Sequence, residues 1–89
     1  MGRCTFLSVR DSERTIERAL GAVVRRSREA RGVSQDQLAE VCELDRTYIS
    51  AIERGLRNVS LNAVRQIAEG LDLSFAQLLR QIADEVEHG

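Results

Sequence analysis

From Ser34 to Gly55 the chain reads SQDQLAEVCELDRTYISAIERG, and most of its directional hydrogen-bonding groups crowd into the second half. Arg46, Thr47, Tyr48, Ser50 and Arg54 fall there, with Arg57 and Asn58 just beyond. Guanidinium groups, hydroxyls and the Ala51 methyl on one short stretch suit the reading of base edges in a DNA groove. An arginine can hold O6 and N7 of a guanine through two bonds, and a small apolar group can meet a thymine methyl. No nucleophile–base pair accompanies them. The single histidine, His88, stands near the C-terminus, and Cys4 and Cys42 are far apart with no ligand-spaced partner. Catalysis, a metal, a cofactor and a disulfide are therefore not expected, and Cys42 reads as a small core residue.

Two helices must position this set. Ser34 and Gln37 form a capping box that opens a helix running to about Cys42. Asp45 stands at the cap of the next helix, which stops before Gly55. A steep crossing between them needs a small side chain, supplied by Ala39, and an apolar seam, supplied by Leu38, Leu44, Ile49 and Ile52. With about 100° per residue, burying Ile49 and Ile52 turns Arg46, Thr47, Ser50, Ala51 and Arg54 toward the other side. That is a helix-turn-helix, whose second helix enters the major groove. Arg46, Thr47, Tyr48, Ser50 and Ala51 are the expected base readers. No structural partner is expected to compete for Arg46, whereas the Tyr48 ring can pack near Ile52 while its hydroxyl reaches a phosphate or base. Ser34 and Gln35, at a helix N-terminus, and Arg54, Arg57 and Asn58, beyond the second helix, are the expected phosphate contacts.

The remaining pattern is helical as well. A first helix is predicted from about Ser12 to Arg31, with Ile16, Leu20, Val23, Val24 and Ser27 on one stripe, ending at Gly32. Ser60 opens a fourth, with Leu61, Val64, Ile67, Ala68 and Leu71 inward, and a second capping box, Ser74 with Gln77, opens a fifth reaching about Glu87. The 89 residues contain no proline and three aromatic residues, a composition that favours a compact all-α, five-helix domain over a sandwich or barrel. Residues 1–11 are expected to be an N-terminal arm, with Phe6, Leu7 and Val9 packing as a short strand or fraying, and 12–89 the domain. On helix five Leu78 and Leu79 read as core, tied to Leu71 and Leu73, while Ile82 and Val86 continue the stripe past the body of so small a domain. Phe75, Leu79, Ile82 and Val86 are the expected partner surface. A homodimer would bury it; folding back onto residues 6–9 is the alternative.

A formal net charge of −1 argues at face value against nucleic acid. The distribution answers that. Residues 1–68 hold 12 Arg against 9 acids, and residues 69–89 hold 1 Arg against 5, so a positive body can meet phosphates while an acidic tail faces away. No stretch approaches the ~20 apolar residues of a membrane span, and a cytoplasmic protein without membrane or small-molecule ligand is expected.

The stretch VSQDQLAEVCELDRTYISAIERG resembles the helix-turn-helix of the phage-repressor-like (XRE, Cro/CI) family, which has the lambda-repressor fold. Gln35, Ala39, Ile49, Ile52 and the Glu53-x-Gly55 ending carry the likeness, which extends from about Leu20 to Leu79. The resemblance implies that Gln35 grips phosphate, that Arg46 and Thr47 read bases, and that Arg28 pairs with Glu53; phosphate contact is the other reading of Arg28. LDRTYISAIERGLRN and the extra apolar turn of helix five resemble the restriction–modification controller proteins. That likeness implies a dimer on a pseudo-palindromic double-stranded DNA operator, activating and repressing its own promoter. Activation implies an RNA polymerase contact, and Asp36 and Glu40 match acidic positions that serve it in the phage lambda repressor, although Glu40 reads more readily as a solvated helix residue. A phage-type repressor or autorepressing antitoxin of the same fold is the alternative regulator. A protein-interaction module without DNA binding is the alternative class, against which the Arg46, Arg54, Arg57 set speaks. One residue departs from the family pattern: Glu43 stands in the turn where glycine is usual, and at positive φ it would cost about 1 kcal/mol.

Overall fold

The computed structural model describes residues 2–88, with side chains described from Thr15 onward. Five helices follow one another: α1 (Gly2–Ala30), α2 (Gln35–Cys42), α3 (Arg46–Glu53), α4 (Leu61–Gly70) and α5 (Phe75–His88). There is no strand among the described residues. The backbone expected to form an arm continues α1 to Gly2, so this helix starts ten residues before the predicted Ser12. The side chains of Phe6, Leu7 and Val9 lie outside the described residues.

Serine hydroxyls start three of the helices. Ser34 and Ser74 each accept from the N–H three residues on (Gln37 at 3.1 Å, Gln77 at 3.0 Å), and each glutamine reaches back to its serine N–H at 2.8 Å. Ser60 accepts from the Ala63 N–H at 3.1 Å. Asp45 differs from expectation: its backbone is in the cap conformation (φ −74°, ψ 141°), but its carboxylate makes no capping bond. Asp45, Arg46 and Thr47 are all exposed, so water can satisfy the first N–H groups of α3.

Four helices end in one way. One or two residues past the helix the chain turns left-handed, and the next N–H bonds back to a carbonyl five residues earlier. Those bonds are Val33 to Arg28 (3.2 Å), Leu44 to Ala39 (2.9 Å), Leu56 to Ala51 (3.0 Å) and Leu73 to Ala68 (2.8 Å). The left-handed residues are Gly32 and Gly55 at two turns, and Glu43 (φ 60°) and Asp72 (φ 61°) at the other two.

The core gathers Leu20, Val23 and Val24 of α1, Leu38 and Cys42 of α2, Ile49 and Ile52 of α3, Val64, Ile67 and Ala68 of α4, then Leu71 and Leu78. Ile16 and Leu61, both predicted inward, are 50% and 69% exposed. Each is the first member of its apolar stripe. Helical spacing gives the direction of a side chain but not how far along the axis its neighbours extend, and these two lie beyond the cover.

Helix α1 packs on α3 and α5, and α2 packs on α3 and α4. Two glycines inside helices permit the closest approaches. A Cβ on Gly21 would run into the Ile52 carbonyl oxygen and sit 2.8 Å from that of Glu53, and one on Gly70 would strike the Cys42 sulfur. Cys42 is a buried free thiol, and burial pushes its pKa up to about 11. Arg26 Nη2 donates to Glu85 Oε1 at 2.9 Å, tying α1 to α5.

Candidate nucleic-acid interface

Helix α3 is eight residues long and its two ends are held differently. At the C-terminal end the Glu53 side chain is 4% exposed and Arg28, from α1, is 12% exposed. Arg28 Nε donates to Glu53 Oε2 at 2.7 Å and Nη2 to Oε1 at 3.1 Å, while Nη1 donates to the Val33 carbonyl at 2.8 Å. Gln35, opening α2, adds a bond from Nε2 to Glu53 Oε1 at 3.0 Å. One carboxylate thus joins α1, α2 and α3, with both oxygens used. Its hydrogen bonding raises the Arg28 pKa above the usual arginine value, with burial pulling the other way. Bidentate, desolvated pairs of this kind are among the stronger polar contacts, provided no partner is left alone.

The N-terminal end is open. Arg46 and Thr47 are exposed, Tyr48, Ser50 and Ala51 half-buried, and Arg54, Arg57 and Asn58 exposed. Ile49 and Ile52 are fully buried behind them, so helical phase sends the polar residues outward. Arg46 is not without a partner, contrary to expectation: its Nε lies 3.0 Å from Asp36 Oδ1 of α2. Both side chains are more than half exposed, and such a pair contributes roughly 0–1 kcal/mol. Spacing along one helix carries no information about a residue ten positions earlier on another, which is why this pair was not anticipated. An exposed pair of this strength does not fix the guanidinium.

The Tyr48 side chain packs against the core, as expected of its ring. The Arg57 guanidinium lies over its ring, 4.8 Å from the centroid, a cation–π contact that holds this arginine beside α3. Gln35, expected on phosphate, turns to Glu53 in the free chain, and the Ser34 hydroxyl is occupied by its own cap. Asp36 and Glu40 are exposed one turn apart on α2, with Asp36 engaged by Arg46.

On α5, Phe75 and Leu79 are 36% and 37% exposed. Ile82 packs against the core, and Val86 lines a hollow with Thr15, Arg18, Ala19 and Ala22 of α1. Leu79, read as core, is thus partly exposed, while Ile82 and Val86, expected to run past the body, lie against the core and α1: the first turns of the helix present apolar surface and the last are covered. Gly21, Gly70 and Asp72 went unnoticed in the sequence. The signal for the first two was available, because a glycine inside a helical pattern often marks a close approach.

A family model described as a helix-turn-helix domain matches residues 19–82. The control protein C.SmaI of Serratia marcescens is 39% identical over 74 residues, covering 83% of this chain and 88% of that one. The control protein C.BamHI of Bacillus amyloliquefaciens is 51% identical over 47 residues, which are 53% of this chain and 58% of the relative, so under two thirds of C.BamHI is spanned. Among solved structures, the restriction–modification controller C.Esp1396I, a tetramer in complex with its natural 35 base-pair operator, superposes with a TM-score of 0.74 at 32% identity. The superposition covers 80% of this chain and 93% of that one.

Proposed function

The chain belongs to the helix-turn-helix family that includes the restriction–modification controller proteins, and from that membership we propose how it acts as a DNA-binding transcriptional regulator. Helix α3 enters the major groove with its N-terminal end. Arg46 and Thr47 read base edges, with Tyr48, Ser50 and Ala51 completing the contact, while Ser34, Gln35, Arg54, Arg57 and Asn58 hold phosphates. The observation that carries this reading is the pairing of an exposed Arg46–Thr47 end with a buried Arg28–Glu53–Gln35 clamp at the other end of the same helix. A reader must be aimed by its scaffold while its own donors remain exchangeable.

The regulator works as a homodimer in the cytoplasm on a pseudo-palindromic operator. Phe75 and Leu79 supply the exposed centre of the interface, flanked by Ile82 and Val86, and two-fold symmetry sets two copies of α3 about one DNA turn apart. As in the controllers it resembles, it activates and represses its own promoter. Activation uses an RNA polymerase contact on the α2 face that bears Asp36 and Glu40. Selection of bound duplexes from a random library by the purified chain tests the proposal. Recovery of one inverted-repeat motif, bound by two protomers, is the expected result. Recovery of no motif, with weak binding that is insensitive to salt, would instead favour a protein-interaction module.

A further inference from the structure

Beside the C-terminal end of α3 lies an open cleft between Arg18, Ala22, Arg25 and Arg26 of α1 and the Arg54–Gly55 turn. Two carboxylates also line it, Glu29 and Glu53, and both are already engaged. Glu53 is taken by Arg28, and Glu29 accepts from Arg25 at 3.1 Å. Arg26 is turned to Glu85. Arg18 and Arg54 remain, both exposed and neither in an ion pair among the described residues. Glu17 borders an adjoining hollow with the same two arginines but pairs with neither.

Arg18 is held where it stands. Its Cγ lies 3.3 Å from where a Cβ on Gly55 would be, and its Cα 3.4 Å, so the stem crosses the turn that follows α3. Arg54, the residue that precedes Gly55, lines both the cleft and the adjoining hollow together with Arg18. Two arginines from different elements, without an ion-pair partner among the described residues and lining one open surface that runs on from the α3 end, have the charge and placement for a phosphate bridged by two guanidinium groups.

We propose that Arg18 and Arg54 together bind a backbone phosphate of the DNA, carrying the protein–DNA contact from the α3–α4 turn onto α1. This rests on the DNA-binding reading above. A purely structural role competes with it: Arg18 lies near the C-terminal carbonyls of α3, whose dipole favours a cation. The two roles separate experimentally, because a structural arginine changes melting temperature and a phosphate contact changes the salt dependence of binding.

The test measures affinity of the full chain, at several salt concentrations, for a duplex selected by the wild type and for an unrelated duplex. Wild type, Arg18→Gln and Arg18→Lys are compared, with melting temperatures recorded for each. Arg18→Gln is expected to weaken both duplexes several-fold and to reduce the slope of log affinity against log salt by about 0.9, the value of one phosphate. Arg18→Lys should restore most of that slope, and the selected motif should not change. A folded Arg18→Gln protein with the wild-type slope overturns the site while leaving the regulator reading intact. A wild-type chain that binds neither duplex overturns both.

Discussion

The two ends of α3, Arg46 and Glu53, lie seven residues apart and are built on opposite principles. At Glu53 a single carboxylate is desolvated and shared by Arg28 and Gln35, so three helices meet at one rigid point. At Arg46 the only ion-pair partner among the described residues is Asp36, across an exposed contact of 3.0 Å that solvent screens. The first arrangement keeps the helix axis where it is. The second costs little to exchange for a base or phosphate. What the contrast teaches is that rigid anchoring and exchangeable pairing are assigned to separate ends of one short helix, with Ile49 and Ile52 fully buried between them.

The sharpest way to break this contrast is to remove the clamp. Glu53→Ala leaves Arg28 largely buried without its counter-charge, and unfolding by denaturant should show a loss of about 3 kcal/mol. If Glu53→Ala and Asp36→Ala cost the same, the two ends are not differently held. Next comes the helix approach behind the clamp. Gly21→Ala forces a methyl against the Ile52 and Glu53 carbonyls, and about 1–3 kcal/mol should be lost in the same measurement as α1 and α3 part. A neutral Gly21→Ala would show that the contact gives way easily.

Between the ends sits the α2–α3 turn, where Glu43 holds φ 60°. Glu43→Gly relieves a left-handed side chain, and melting should rise by roughly 4–8 °C, about 1 kcal/mol, with the bound motif unchanged. A lower melting temperature would mean that the glutamate makes a compensating contact. The smallest effect belongs to the open end. Asp36→Asn should leave stability within about 0.5 kcal/mol while strengthening binding to all duplexes alike, because Arg46 loses its competitor and a repelling charge leaves the phosphate-facing side. Weaker binding in Asp36→Asn would mean that the carboxylate instead orients Arg46 for reading.

The fold was largely legible because its signals are local. Serine–glutamine boxes, glycine stops and apolar spacing each act within a few residues, and the boundaries of α2 to α5 follow from them. The family match over residues 19–82 and the helix-turn-helix relatives agree with the all-α reading. What escaped depends on residues distant in sequence. The Asp36–Arg46 contact and the Gly21 approach to the Ile52 carbonyl are set by the crossing of two helices, which periodicity does not encode. The continuation of α1 to Gly2 escaped for a different reason: the alternation of Phe6, Leu7 and Val9 with polar residues suggested an arm, whereas the backbone is helical there. Asp72 shows the limit from the other side, since a left-handed stop can be made without glycine when the following N–H finds its carbonyl, here Leu73 to Ala68 at 2.8 Å.

The central claim is that the exposed end of α3 reads sequence while the clamped end only aims it. Selection from a random duplex library with wild type and Arg46→Ala in parallel, followed by affinity measurements on the recovered motif, addresses it directly. Arg46→Ala should keep the wild-type melting temperature, lose roughly 1–3 kcal/mol on the wild-type motif and accept any base at one position of each half-site. An Arg46→Ala protein that recovers the same motif with undiminished selectivity would contradict the claim.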